Sequence, residues 1–252
     1  MLVAQLVFSL YRLLGRSEFA TLVVVDNGSR DGSRELLQEL DTAGLLHLLA
    51  NREQRYHGPA LTQAVSWLAR RQASAPPAER LDYLWIIDSD VVVLRHDAVR
   101  AAVSALETAG AAAVGEPSSD EDGLSDYSLL LDPASLWRPP LPPFLEDGYP
   151  SGALQRAARD EGLRLASFPF AQDAFVVHVG RATLRRLVEA GHTANRYYEW
   201  ALEHQRPHFG EWHDARPRYD AFCALFRDEV PDDDAATLVA ACRRGELLGQ
   251  NV

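Results

Sequence analysis

Lysine is absent from this chain of 252 residues, so all 25 of its basic side chains are arginine. Acidic residues number 36, and the formal net charge at pH 7 is −11. A protein that follows the phosphates of a nucleic acid needs a basic surface, so this composition argues against such a partner. GC-rich codon usage explains the missing lysine better than any functional cause.

Cysteine is scarce as well, since only Cys223 and Cys242 are present, both in predicted helices and without the spacing of a zinc site. We interpret them as reduced thiols of a cytoplasmic protein. No apolar run reaches the about 20 residues that a membrane span needs. The apolar residues 1–14 lack the basic start and the cleavage site of a signal peptide, so they predict a buried helix.

Apolar residues make up 47% of the chain, which is enough for a substantial core. Apolar periodicity and turn residues predict alternating strands and helices, which indicates a mostly parallel α/β sheet covered by helices. The strands are predicted at residues 21–25, 45–49, 84–87, 111–114 and 175–180. The helices are predicted at residues 1–14, 33–40, 59–71, 97–109, 151–162, 181–190 and 235–244. The acidic residues 116–126 and the Pro-rich residues 137–143 are predicted as loops.

Two carboxylates follow the apolar strand predicted at residues 84–87. Asp88 and Asp90 are separated only by Ser89. Ligands of open α/β sheets bind outside the carboxyl ends of the strands. Carboxylate oxygens at that place suit a Mg²⁺ or Mn²⁺ ion that also holds a phosphate. A solvated turn or a helix cap is the alternative, because Asp and Ser are common in turns.

A second apolar strand ends in Asp26, Asn27 and Gly28, which open a loop that leads into a helix. Asn-Gly favours a tight turn, and this is one interpretation of the loop. Contact with a bound nucleotide is the other, and we favour it because of the strand–loop–helix context.

Four segments occur in an order and at a spacing that a known family shares. They are residues 23–33, Asn51 with Gly58-Pro59-Ala60, Asp88-Ser89-Asp90, and His178-Val179-Gly180. Together they resemble family-2-like glycosyltransferases with the GT-A fold, over roughly residues 1–190. The resemblance implies a Rossmann-like nucleotide-diphospho-sugar transferase. It implies metal-dependent, inverting transfer from a UDP-, GDP- or dTDP-sugar to an acceptor that the sequence does not identify.

The resemblance also implies roles for particular residues. Contacts with the nucleotide-sugar are implied for Asp26, Asn27, Asn51, Arg52, Asp88 and Ser89. Metal ligation of Mn²⁺ or Mg²⁺ is implied for Asp88, Asp90 and His178. An equal alternative is that His178 lies at a strand end and that its ring only forms hydrogen bonds with the backbone. For Arg52, and for Tyr56 and His57 in the same loop, an ordinary solvated loop is equally consistent with the sequence.

An inverting transfer needs a general base that takes the acceptor proton. The family places this base in a Glu-Asp pair before a helix, which implies Asp147 first and Glu146 second, with Asp173 as a third choice. If the family is aligned from the end of the helix predicted at residues 151–162, Pro150-Ser151 occupies the position of the Glu-Asp pair. Asp147 can therefore also be a solvated loop carboxylate.

The family begins with a strand, whereas this chain begins within the helix that follows that strand. Either that strand is absent, or the real start lies upstream of Met1. If the central strand is absent, we expect open sheet edges and a weaker nucleotide pocket. A catalytically silent GT-A-fold binding or scaffold protein is therefore the alternative function. We expect the core at residues 1–190 and a helical extension at residues 191–252, which is rich in aromatic and His residues and is a possible acceptor side.

Overall fold

The computed structural model describes residues 2–15, 18–118, 123–136, 144, 150–178 and 235–248. The helices are α1 (Leu2–Ser9, continued by a π-helical turn at Leu10–Leu14), α2 (Ser33–Thr42), α3 (His57–Ser74), α4 (Ala98–Ala109), α5 (Pro133–Leu136), α6 (Gly152–Asp160) and α7 (Ala235–Leu248), with a 3-10 turn at Pro77–Glu79. The strands are β1 (Val23–Asp26), β2 (His47–Ala50), β3 (Leu84–Ile87), β4 (Val91–Val93), β5 (Ala113–Pro117), β6 (Leu124–Leu131), β7 (Leu165–Ser167) and β8 (Val176–His178). None of these helices is both long and apolar enough to cross a membrane.

The strands form three hydrogen-bonded groups. Strands β1 and β2 pair in parallel, and β4 pairs antiparallel with β8. The largest group has the order β3-β6-β5-β7, in which β6 runs antiparallel to both neighbours and β7 runs parallel to β5. The α/β class predicted from the sequence is therefore confirmed. The extension predicted at residues 191–252 lies outside the described residues except for α7.

The sheet is mixed, which corrects the prediction of a mostly parallel one. Among the described pairs of strands, two are parallel and three are antiparallel. All three antiparallel pairs involve β4 or β6, which the sequence pattern did not predict. Strand β6 begins at Leu124, within residues 116–126 that were predicted as a loop. Burial of its residues 129–131 stabilises the strand despite the acidic residues near its start. Strand β4 has three residues, which is too short to show a period.

Helix α1 and its π-helical turn join two apolar clusters, because this segment is apolar on all sides. Phe8 and Tyr11 belong to a cluster with α2 and α7. Leu6 and Leu10 belong to a second cluster with α4, β4 and β8. A third cluster lies between α3, α6 and strands β3, β5 and β6. The prediction of a buried helix at residues 1–14 is confirmed.

Strands β1 and β3 each leave one edge open within the described part of the chain. Strand β1 pairs only with β2, and β3 pairs only with β6. No other described residue forms a backbone hydrogen bond with their second edges. Helix α3 covers both strands, since it packs on β1 and its Val65 joins Ile86 of β3 in the third cluster. Within the described residues, β1 and β3 therefore each present one unpaired edge.

Candidate active site

Several predicted site residues lie at the carboxyl ends of strands. Asp26 is the last residue of β1, Asn51 follows β2, and Asp88 follows β3. Their backbones continue the strand pairing, because Asn51 N donates to Asp26 O and Asp88 N donates to Tyr127 O of β6. These strand ends form the edge at which open α/β sheets bind ligands.

The pairing of β4 with β8 brings three of the predicted residues together. Val91 lies opposite His178, so His178 reaches the residue before Val91, and its Nε2 is 3.3 Å from Asp90 Oδ1. Ligand atoms of Asp88, Asp90 and His178 all lie within 4.8 Å of one another. A divalent ion sits about 2.0–2.2 Å from each ligand, so a shift of a few tenths of an ångström would let one ion bind all three. Two carboxylates and an imidazole fit Mn²⁺.

His57 is the first residue of α3 and adds a second imidazole to the site. Its Nε2 lies 3.3 Å from Asp88 Oδ1. Burial lowers the pKa of His57, but the Asp88 carboxylate outweighs this effect and raises that pKa above its ordinary value. Burial likewise raises the pKa of Asp88, and the charges of His57 and His178 more than offset it, so the Asp88 pKa lies below its ordinary value. Asp88 is therefore a carboxylate at neutral pH.

Side-chain amides fix the backbone that leads into His57. Tyr56 has a positive φ of 64°, a conformation that costs energy for a bulky residue. Asn27 Nδ2 donates to Tyr56 O at 3.0 Å. Asn51 Nδ2 in turn donates to Asn27 Oδ1 at 3.0 Å and to Gln63 Oε1 at 2.9 Å. Asn27 and Asn51, which were predicted to contact a nucleotide, thus hold the start of α3 in place.

Asp26 forms the base of the loop after β1. Its side chain is fully buried and accepts hydrogen bonds from Arg34 Nε at 2.7 Å and Ser29 N at 3.1 Å. Burial raises the pKa of Asp26, but these hydrogen bonds and the Arg34 charge hold it below its ordinary value. Arg34 also donates to Asn51 O, so one guanidinium ties the ends of β1 and β2 together.

We expect Asp26→Ala to destabilise the fold by about 3–5 kcal/mol, because it leaves the Arg34 guanidinium without its carboxylate in a partly buried place. Urea unfolding in ligand-free buffer measures the effect. Asp97→Ala is the matched control, since it breaks an ion pair with Arg95 in which both side chains are partly exposed, and it should cost about 1 kcal/mol or less. Equal losses in the two variants would contradict the role of Asp26.

Asp126 of β6 is a site residue that the sequence analysis missed. Its two carboxylate oxygens lie 3.2 and 3.3 Å from Ser151 N, just before α6. Burial raises the pKa of Asp126 to about 6, against the lowering effect of the Ser151 hydrogen bond and of nearby His57, and the charge of Asp88 adds to the rise. Asp126 lies in an acidic loop-like stretch without a motif, so no sequence signal marked it.

Three further predicted residues that the structure describes, Arg52, Ser89 and Asp173, are not part of this cluster. Arg52 and Ser89 are exposed, after β2 and between the two aspartates respectively. Asp173, the third choice for the base, is exposed in the turn before β8. Asp147 and Glu146 lie outside the described residues.

The raised pKa of Asp126 predicts a pH dependence of stability. The unfolded chain ionises this carboxyl near its ordinary value, whereas the folded protein ionises it near 6. Stability from this group is therefore lost as pH rises from about 4 to 6, by at most about 3 kcal/mol. Asp126→Asn removes the ionisation, so the variant should gain about that much relative to wild type between pH 4 and pH 7.

Urea denaturation at several pH values, with EDTA to remove metal ions, tests this expectation. The measured quantity is the difference between the unfolding free energies of Asp126→Asn and wild type. A difference that does not change with pH would show that Asp126 ionises equally well in both states.

The fold is the GT-A fold of glycosyltransferases, which are enzymes that transfer a sugar from a nucleotide-sugar donor. The chain belongs to glycosyl transferase family 2, whose family model matches residues 3–167, and the resemblance seen in the sequence is thereby confirmed. The comparison with curated proteins found no match. Among solved structures, a mannosyltransferase from Pyrobaculum calidifontis in complex with GDP-Man and Mn²⁺ is 15% identical, covers 95% of this chain and 83% of its own, and has a TM-score of 0.44.

Proposed function

We propose that this enzyme transfers a sugar from a nucleotide-diphosphate donor by a metal-dependent, inverting reaction. The observation that carries the proposal is the cluster of Asp88, Asp90 and His178 at the carboxyl edge of the sheet. As the sugar leaves, negative charge builds on the diphosphate, and a Mn²⁺ or Mg²⁺ ion held by these three residues would neutralise it. The chain carries a net charge of −11, so its own field opposes a diphosphate and gives the ion a second role in binding.

The loops around the cluster are proposed to bind the rest of the donor. The hydrogen-bonded network of Asp26, Asn27 and Asn51 is rigid, and we assign the nucleotide base and ribose to it. Arg52 and Ser89 are exposed and therefore available to phosphate or sugar oxygens. The donor is a UDP-, GDP- or dTDP-sugar, and these residues do not specify the acceptor. A cytoplasmic location stays a prediction.

Asp90→Asn should abolish the part of nucleotide binding that depends on Mn²⁺, because the neutral amide is a weak ligand for a hard cation. Isothermal titration with UDP, GDP and dTDP, each with and without Mn²⁺, measures the effect. The thermal midpoint without ligand should stay close to that of wild type, since the mutation also relieves repulsion from Asp88. Asp97→Asn removes a carboxylate of the same charge from the segment after β4 and is the matched control.

Two results of the titration would contradict the proposal. Undiminished Mn²⁺ dependence in Asp90→Asn would remove Asp90 from the metal site. A wild-type protein that binds none of the nucleotides, with or without Mn²⁺, would favour the catalytically silent scaffold, for which the open edges of β1 and β3 are the supporting observation.

The general base is proposed to be Asp147, with Glu146 as the second candidate. Helix α6 begins at Gly152, and a carboxylate shortly before a helix is stabilised by the helix dipole. Asp126 contacts the same helix start through Ser151 N, so this end of α6 faces the carboxylate cluster. The acceptor hydroxyl would approach from that side.

We expect Asp147→Asn to lower turnover by about 10²–10⁴-fold, which is the usual contribution of general-base catalysis, while donor binding persists. Initial rates with saturating donor, together with titration of the nucleotide, separate the two effects. Asp160→Asn is the control, because Asp160 is an exposed carboxylate at the end of α6. If Asp147→Asn retains wild-type turnover and Glu146→Gln or Asp173→Asn loses it, the base is the residue whose change abolishes activity.

A further inference from the structure

Glu116 is a buried carboxylate that the mechanism above does not use. It lies at the register shift between Gly115 and Pro117 of β5, where a bulge can redirect a side chain. Its oxygens accept hydrogen bonds from Ala171 N at 2.8 Å and Gln172 N at 3.3 Å, and a short one from Tyr127 Oη. Glu116 therefore joins β5, β6 and the turn that precedes β8.

Tyr127 connects Glu116 with the metal cluster. Its ring stacks on the imidazole of His178, with the ring centres 4.3 Å apart and the planes 14° from parallel. Its backbone O accepts a hydrogen bond from Asp88 N at 3.0 Å. Tyr127 thus contacts two of the three residues that would bind the ion.

We propose that Glu116 and Tyr127 position His178 for metal binding. We call these two residues the Glu116–Tyr127 clamp. The inference rests on the proposed metal site, but it assigns a role to residues that do not themselves touch the ion. Glu116 fixes the plane of the Tyr127 ring through the phenolic hydroxyl, and that plane fixes the tilt of the stacked imidazole. The same carboxylate anchors the turn at residues 171–172, from which the chain runs into β8.

The clamp matters because an imidazole can ligate an ion only when its nitrogen points at it. His178 is the last residue of β8, and its backbone pairing with Val91 fixes the position of its Cα but not the rotation of its ring. Without the stacked ring of Tyr127 the imidazole would have more rotational freedom, and ordering it would then cost part of the binding energy of the ion. Partners that orient a metal ligand typically contribute about 10–100-fold to metal affinity.

The test uses the full chain without nucleotide and takes Mn²⁺ alone as the probe. Titration calorimetry gives the Mn²⁺ dissociation constant, and pulsed electron paramagnetic resonance detects nitrogen coordinated to Mn²⁺. Tyr127→Leu removes the stacking ring, and we expect about 10–100-fold weaker binding together with loss of the nitrogen coupling. Tyr127→Phe keeps the ring and should keep the coupling, with a smaller loss of affinity.

Tyr83→Phe is the matched control, because Tyr83 Oη donates to Glu107 Oε1 at 2.7 Å in an exposed pair away from β8. This variant should retain both the affinity and the nitrogen coupling. If Tyr127→Leu does not fold, Tyr127→Phe and Glu116→Gln decide the matter, since the clamp requires both to weaken Mn²⁺ binding more than Tyr83→Phe does.

The outcomes separate the clamp from the metal site on which it rests. Wild-type protein that binds Mn²⁺ without nitrogen coupling would remove His178 from the metal site, and the clamp with it. Wild-type protein with the coupling, and a Tyr127→Leu variant with the same coupling and the same affinity, would overturn the clamp alone. A loss of thermal stability without change in either measurement would show that Tyr127 is only structural.

Discussion

The antiparallel pairing of β4 with β8 is the contact on which the site depends. Its register is set by burial on both faces, because Val92 and Val177 belong to one apolar cluster and Val91 and Val176 to the other. A slip of one residue would exchange the two faces and move His178 away from Asp90. Apolar packing therefore decides the position of a polar cluster that contributes little to the core itself.

Charge in the site is balanced by imidazoles and arginine, as a chain without lysine requires. Asp88 faces His57, Asp90 faces His178, and Asp26 faces Arg34. Among the described residues, Asp88 and Asp90 form ion pairs with imidazoles, whereas Asp26 forms one with a permanent cation. Asp26 is thus tied to the protein, while Asp88 and Asp90 can exchange their partners for a divalent ion. This difference separates a carboxylate that is held by a permanent cation from carboxylates that can bind a metal ion.

The ends of the strands could be predicted from the sequence, whereas contacts between residues that are distant in the sequence could not. Asp26 and Asp88 follow continuous apolar runs, and such a run predicts a buried strand even without homologous sequences. Strand β6 and Asp126 were missed because acidic residues at a strand start are the same residues that make turns. Glu116 was missed because its importance comes from Ala171 and Tyr127, which are distant in sequence. Local patterns carry information about elements, and partners across the fold are not local.

The open edges of β1 and β3 have a consequence for the behaviour of the protein in solution. An unpaired edge presents backbone N–H and C=O groups that any extended peptide can satisfy. Strand β1 consists of three half-buried valines followed by Asp26, and this β-branched run has no charged residue to discourage such pairing. The net charge of −11 works in the other direction, because it keeps molecules apart at low ionic strength. Added salt screens that repulsion. Association through the unpaired edges would then increase with protein concentration, and the protein would become less soluble and less monodisperse.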